Sequence, residues 1–329
     1  MSIDQIVSLV HAAVVFGTVI LFGCVGETLS EKAGNLNLGV PGVMYIGGIA
    51  SLAGAFFYEL AVEKPIPILC LVIALSCGFF ASALTGFLFS FMTNTLRVNQ
   101  NVTGLTITIL GTGIANFFGG SLNKLAGGVG QISVSATSDV FRATIPGASN
   151  MHPLLQMIFN YGWMVYLALL IAVLAQLFLS KTMMGLNLRS IGENPATADA
   201  AGINITRYKY AATCLGCMIA GLGGLYYVMD YACGVWSNDA FGDRGWLAIA
   251  LVIFTIWRPN VGILASILFG GLYILYLFIP TGMNLAVKEL YKMLPYLVTI
   301  AVLILTSIRN KRENQPPASL GLPYFREER

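Results

Sequence analysis

An all-α, polytopic bundle of transmembrane helices is the fold class this sequence predicts. Two observations carry it: apolar residues are abundant, and they are gathered into uncharged runs of spanning length. Of 329 residues 57% are hydrophobic and only 10% charged, with a mean hydropathy of +0.77. One soluble core cannot absorb that composition. The uncharged runs Pro65–Leu96, Val98–Asn123, Ala143–Ser180, Tyr210–Met229 and Pro259–Val287 are each long enough, at 1.5 Å rise per residue, to cross roughly 30 Å of hydrocarbon.

In chain order, spans are predicted near residues 6–24, 39–59, 66–92, 102–118, 157–179, 209–229, 245–257, 260–279 and 292–308, about nine in all. The first has no basic n-region and no small-residue cleavage pattern, so it reads as a retained helix. Residues 1–308 then form one membrane domain, with 309–329 as a tail. Small residues recur at four-residue spacing, as in Gly47-x-x-x-Ser51, Ala50-x-x-x-Gly54 and Gly262-x-x-x-Ser266-x-x-x-Gly270, a pattern that lets helix backbones approach closely in lipid.

Three stretches interrupt the apolar pattern. Glu27 to Gly42 mixes charge with Gly34, Asn35, Asn37, Gly39, Pro41 and Gly42 just before an apolar run. Such a sequence breaks a helix, and it reads either as a broken helix beside a substrate path or as a cytoplasmic loop. Gly119 to Pro153 is rich in Gly, Ser and Thr and too long for a tight turn, so a short interfacial helix and a docking surface are expected there. The longest polar interruption is Lys181 to Lys209. Within it, Pro195 suits the first turn of a short helix and Gly202 the position after its last turn.

Basic residues fix the orientation. The Lys181–Lys209 loop and the tail after the last span carry half of the Lys and Arg, which places both in the cytoplasm. Twelve of the eighteen Lys and Arg then lie inside, and an odd number of spans puts the N-terminus outside. The net charge of +3 matters only through this distribution, and no nucleic-acid partner is expected. Six cysteines fall almost wholly in apolar stretches, where a thiol behaves as a small hydrophobe. The C-x-x-C of Cys214 and Cys217, inside an uncharged helix, reads as packing in preference to a metal or redox site.

No catalytic residues, metal ligands or nucleotide-binding signature are found: there is no Gly-Lys pair for a phosphate loop, no H-E-x-x-H, and His11 and His152 lie far apart. The chain is therefore read as a non-enzyme that binds no cofactor itself. The spans also lack midplane charges of the kind that relay protons or bind coupling cations. Asp230, Asp239, Asp243 and Arg244 gather at an outer helix end, as a salt-bridged gate or a solvated loop. What remains in the spans is neutral and polar. Thr103, Thr106, Asn116, Tyr226 and Tyr227, with Asn37 at the broken segment, are the candidate substrate path, and suit a neutral, hydrogen-bonding, partly aromatic solute.

Three segments resemble a known family. Glu31-Lys-Ala-Gly-Asn-Leu-Asn-Leu-Gly-Val-Pro-Gly42 is similar to its "E-R-x-G-x-x-N-L-G-x-E-G" approach to the second helix, with Pro41 where Glu is usual. Gly192-Glu-Asn-Pro195 to Ala200-Ala-Gly-Ile203 resembles its cytoplasmic coupling loop. Asp243 to Phe254, with Trp257-Arg-Pro-Asn-Val-Gly262, is similar to its "R-G-F-I-A-L-A-x-x-I-F-G-x-W-x-P-x-G" run, with Thr255 where Gly is usual. The chain is thereby identified as a member of the permease subunits of ATP-binding-cassette importers for branched-chain amino acids and simple sugars, nearest the nucleoside permeases. The resemblance implies a bacterial cytoplasmic-membrane importer, a heterodimer with a second permease, cytoplasmic ATPases holding ATP and Mg²⁺, an external substrate-binding lipoprotein and a nucleoside cargo. Arg189, Glu193, Asn194, Pro195, Asp199, Ala200, Ala201, Gly202 and Ile203 would then form the ATPase-coupling element. Alternative cargoes are simple sugars, riboflavin or branched-chain amino acids; an ion-coupled secondary carrier and a membrane scaffold are alternatives of other classes.

Overall fold

The computed structural model describes residues 3–125, 132–147, 152–239, 241–278, 285–309 and 315–325. Its long helices are α1 (Ile3–Lys32), α2 (Val40–Ala61), α3 (Pro67–Ser90), α4 (Gln100–Leu125), α7 (Trp163–Lys181), α10 (Ile205–Tyr226) and α12 (Pro259–Ile274). Between and after them come α5 (Ser135–Arg142), α6 (Pro153–Phe159), α8 (Met183–Glu193), α9 (Pro195–Ala200), α11 (Arg244–Phe254), α13 (Leu285–Lys292) and α14 (Leu294–Arg309). Helices α3 and α10 each end in a π-helical turn, Phe91–Thr95 and Tyr227–Tyr231. Among the described residues, seven helices are long and apolar enough to cross a membrane, and they match seven of the predicted spans. The other two predicted spans, 245–257 and 292–308, are the shorter helices α11 and α14, of 11 and 16 residues.

Helices α1, α2 and α10 make the interior. The most apolar windows of α2 and α10 are 72% and 78% buried, against 28% for α3 and α4, which therefore lie at the periphery. Phe16, Ile20, Phe22, Met44, Leu52 and Tyr226 are fully enclosed at the centre. Small residues set the closeness of the packing, as their spacing predicts. Gly26 of α1 and Gly216 of α10 lie backbone to backbone, Gly47 of α2 meets Gly221 of α10 and Ser82 of α3, and Gly270 of α12 rests on Ala13 and Gly17 of α1. In lipid such approaches supply the dispersion contact that solvent exclusion supplies in water.

Two boundaries differ from the sequence reading for physical reasons. Helix α1 does not stop at residue 24 but runs on to Lys32, because the charged turn containing Glu27 and Glu31 is buried and hydrogen-bonded within the bundle. The predicted span 157–179 begins only at Trp163, since the chain turns at 160–162 after the short helix α6. In the stretch 119–153, helix α4 continues to Leu125 and α5 supplies the expected short helix; residues 126–131 and 148–151 lie outside the described set. Helix α5 is tied to the bundle by Ser138 Oγ donating to the Met229 carbonyl at 2.8 Å and by the Thr137 amide donating to Glu59 at 2.7 Å.

Candidate functional site: a capped surface helix and a buried helix break

Helix α9 is built as its sequence requires. Asn194 caps it, its side-chain oxygen accepting from the Thr197 amide at 3.0 Å; Pro195 fills the first position, where no N–H is needed; Gly202 follows the last turn with φ +82°. Both devices satisfy helix-end groups that a six-residue helix cannot satisfy alone. Only one side of α9 faces the protein. Ala198 packs inward with Ile191 and Ile205, with Ile203 and Tyr324 beside them, while Ala200, Ala201 and Gly202 are exposed. Of the nine residues predicted for this element, Ile203 is thus turned partly inward, and Asp199 accepts a hydrogen bond from the Tyr324 hydroxyl at 3.0 Å.

Arg189 and Glu193, on α8, face a different space. With Lys32, Ser190, Trp257 and Arg258 they line a cavity of about 470 Å³ at the same end of the bundle. Three basic residues, Lys32, Arg189 and Arg258, meet in this cavity, and Arg97 and Lys209 line a second recess.

Directly behind this face the connection from α1 to α2 is a break buried inside the protein. Glu27, Glu31, Asn35 and Asn37 are each 2% exposed or less. Backbone without a helical partner at such depth must find side chains, and it does. The Leu36 amide donates to Gln100 at 2.7 Å, the Asn37 amide to Glu27 at 2.8 Å, and the Gly39 amide to the Asn37 side chain at 2.9 Å. Thr108 donates to the Leu38 carbonyl at 2.8 Å, and Asn35 donates to Thr213 at 2.8 Å. Glu31 accepts from the indole N–H of Trp257. This stretch is therefore an enclosed break between two helices and not a solvent-exposed connection.

The six predicted path residues do not share one cavity. Asn37 lies in the break, its amide donating to the Cys217 thiol at 3.4 Å, and Thr103 of α4 is buried nearby with its hydroxyl turned back to the Asn99 carbonyl. Thr106 is exposed on α4 and bonds the Val102 carbonyl. Asn116, toward the other end of α4, forms a reciprocal pair with Asp239, donating at 2.8 Å and accepting from its amide at 3.2 Å. Tyr226 is enclosed by the core, and Tyr227 belongs to an aromatic group with Tyr45 and Phe241. Arg244 closes that group, its guanidinium 4.7, 4.8 and 5.0 Å from the rings of Phe16, Tyr227 and Tyr231. The acidic residues near it thus diverge: Asp239 turns to α4, and Asp230 lies against Gly162.

The family model for the permease component of branched-chain amino acid transport systems matches residues 9–303. The chain belongs to this family. A guanosine ABC transporter permease protein of Bacillus subtilis is 29% identical to this permease, with all of both chains covered. A nucleoside ABC transporter permease protein of Lactococcus lactis is 29% identical over 88% of this chain and 89% of its own. A permease protein of Haloferax volcanii, provisionally named for glucose, is 30% identical over 97% and 98%. No solved structure matches the chain.

Several functional-looking residues of this permease escape sequence reading. Glu27, Glu31 and Gln100 carry the break, yet hydropathy places two of them in a connection and gives the third no role. Their partners, Trp257 above all, lie far away in the chain, and only the break's own lack of backbone partners signals that side chains must supply them. Among the described residues no group of three or more His, Cys, Asp or Glu is placed to hold a metal ion.

Proposed function

We propose that this chain is one permease half of an ATP-driven, binding-protein-dependent importer of nucleosides, working in a bacterial cytoplasmic membrane. It would cross the membrane about nine times, with its N-terminus outside, and α8, α9 and the C-terminal tail in the cytoplasm. The observation that carries the reading is α9 itself: a short helix capped at both ends, seated on the bundle through Ala198 and presenting Ala200, Ala201 and Gly202 outward. A chain with no phosphate-binding motif needs a partner to supply energy, and a small, exposed, rigidly seated helix is what a partner's groove can grip. Cytoplasmic ATPases would carry ATP and Mg²⁺, close on α9, and drive alternating access. Asp199 would add a polar contact at the rim of that groove, and Arg189 and Glu193 would meet the partner from the adjoining cavity.

The test replaces Ala201 with Trp and Gly202 with Val in the assembled transporter. Hydrolysis of ATP stimulated by the loaded binding protein should be abolished while the ATPase still co-purifies. Unchanged stimulation removes the coupling claim. ATP-dependent uptake into vesicles without an ion gradient separates this mechanism from an ion-coupled carrier.

A nucleoside cargo is supported by the Bacillus and Lactococcus relatives and by a neutral polar inventory. The Haloferax relative supports sugar as the second reading. Competition of uptake by unlabelled guanosine against unlabelled glucose decides between them. A second, homologous permease would complete the path as a heterodimer. Of the six candidate path residues, Thr106 and Asn116 reach the outer surface of α4, so a path between two halves would run along that helix, while Asn37, Thr103, Tyr226 and Tyr227 would set its wall from behind. An external substrate-binding lipoprotein would deliver the cargo to the opposite end.

A further inference from the structure

The sequence marks the C-terminal tail only as a basic end, but part of it is firmly placed. The segment 315–325 lies across the basic end of the bundle, with Pro316-Pro317 leading into a turn at 318–321 in which the Leu320 amide donates to the Pro317 carbonyl at 3.0 Å and the Leu322 amide to the Ser319 carbonyl at 3.1 Å. Ser319 is buried at the junction of two helix ends. Its amide donates to the Gly192 carbonyl at 2.9 Å, and its hydroxyl lies 2.6 Å from that oxygen and 3.2 Å from the Ile191 carbonyl. Two residues on, the Gly321 amide donates to the Gly34 carbonyl at 3.2 Å, where α1 gives way to the break. Tyr324 then packs on the small cluster under α9 and donates to Asp199 at 3.0 Å, and the Phe325 ring sits 4.5 Å from the Arg97 guanidinium between α3 and α4.

One strap therefore touches the end of α8, the start of the break, the last turn of α9 and the α3–α4 turn. Helix α9 needs such a tether, because six residues are too few to hold a helix without tertiary support, and only Ala198 of the six is buried. Gly34 and Gly192 meet so closely that a side chain on Gly192 would strike the Lys32 carbonyl. A continuous line of contacts thus runs from α9 through Tyr324 and Ser319 to Gly34, next to Asn35 and Asn37 in the break.

We propose that the tail segment Ser319–Phe325 is part of the coupling element, with Tyr324 the positioning residue that holds α9 in register with the α1–α2 break. The inference rests on the reading of α9 as the coupling helix and adds to it the link from α9 to the interior. It is tested in the assembled transporter in lipid vesicles with Tyr324→Phe and Ser319→Ala, read beside the Ala201→Trp, Gly202→Val variant. Tyr324→Phe keeps the ring and its packing and removes only the donated bond. Its cargo-stimulated kcat for ATP hydrolysis is expected to fall roughly threefold to tenfold, the factor an ordinary hydrogen bond carries, with KM for ATP unchanged and the ATPase co-purifying as before. Ser319→Ala, which removes the hydroxyl's bond at the other anchor and leaves the backbone bonds, is expected to act in the same direction. Parental stimulation in both tail variants, with the α9 variant inactive, overturns this inference and leaves the coupling reading in place. Loss of ATPase co-purification in step with activity also overturns it, since the strap would then be an assembly contact. Parental stimulation in the α9 variant removes the coupling reading and this inference together.

Discussion

Trp257 shows what a single side chain does in this bundle. Its indole donates to Glu31, a carboxylate 2% exposed and 226 residues away. Replacing it with Phe keeps most of the apolar volume and takes the donor away, so a buried oxygen loses its partner, at a cost of about 1–3 kcal/mol. Thermal unfolding of the detergent-purified protein should show Trp257→Phe clearly destabilised. Trp246→Phe, at a side chain 36% exposed, should unfold with the parent and serves as the control. Equal midpoints for the two variants would show that the Trp257 contact carries no stability. At this scale the sequence names polar residues well and their partners badly. Asn37 is legible as the polar mark of a break, but nothing local reveals that its oxygen takes the Gly39 amide while its nitrogen faces the Cys217 thiol.

Between elements, the fit of α2 against α4 turns on two glycines. A side chain built on Gly111 would lie 2.6 Å from the Cα of Gly42, whereas one on Gly113, two residues on, would meet nothing within 4 Å. Gly111→Leu must push α4 away from α2, an overpacking that costs about 1–3 kcal/mol or more; Gly113→Leu should be tolerated. Unfolding midpoints of the pair in one detergent check this, and equal values would mean that α4 slides freely on α2. The cap of α9 gives a companion expectation: Asn194→Ala removes the bond to Thr197 and loosens the helix by about 1 kcal/mol, so stimulated ATP hydrolysis should fall in part while assembly persists. Caps of this kind are legible because they are local: Asn194, Pro195 and Gly202 lie within nine positions of one another. The extension of α1 through Glu27 and Glu31 was not legible, because charge argues against a span until the burying partners are known.

For the whole molecule the open question is how many times the chain crosses, and α11 decides it. Eleven residues rise only about 16 Å, half a bilayer. Yet α11 does not start at the outer surface. The approach after Cys233 carries Trp236 and Phe241, both buried, and Phe241 packs on Tyr45 and Tyr227 inside the bundle. Gly245 lies against Pro41 at the start of α2, Ala248 against Gly23, and Trp257 bonds Glu31 near the end of α1. This approach buries Trp236 and Phe241 in the bundle, leaves Cys233, Ser237, Asn238, Asp239, Gly242 and Asp243 exposed, and leads into α11. The prediction is that 233–258 makes one full crossing, which length rules applied to helices alone do not count. Cys233, exposed and free, is a native reporter for the outer end. In intact cells a membrane-impermeant maleimide should label Cys233. On a Cys233→Ser background, Ala201→Cys and Arg258→Cys should both stay unlabelled until the membrane is opened. Labelling of Arg258→Cys in intact cells would mean that α11 turns back without crossing, and the spans after it would then carry the C-terminal tail to the outside, against its contacts with Gly192 and Asp199.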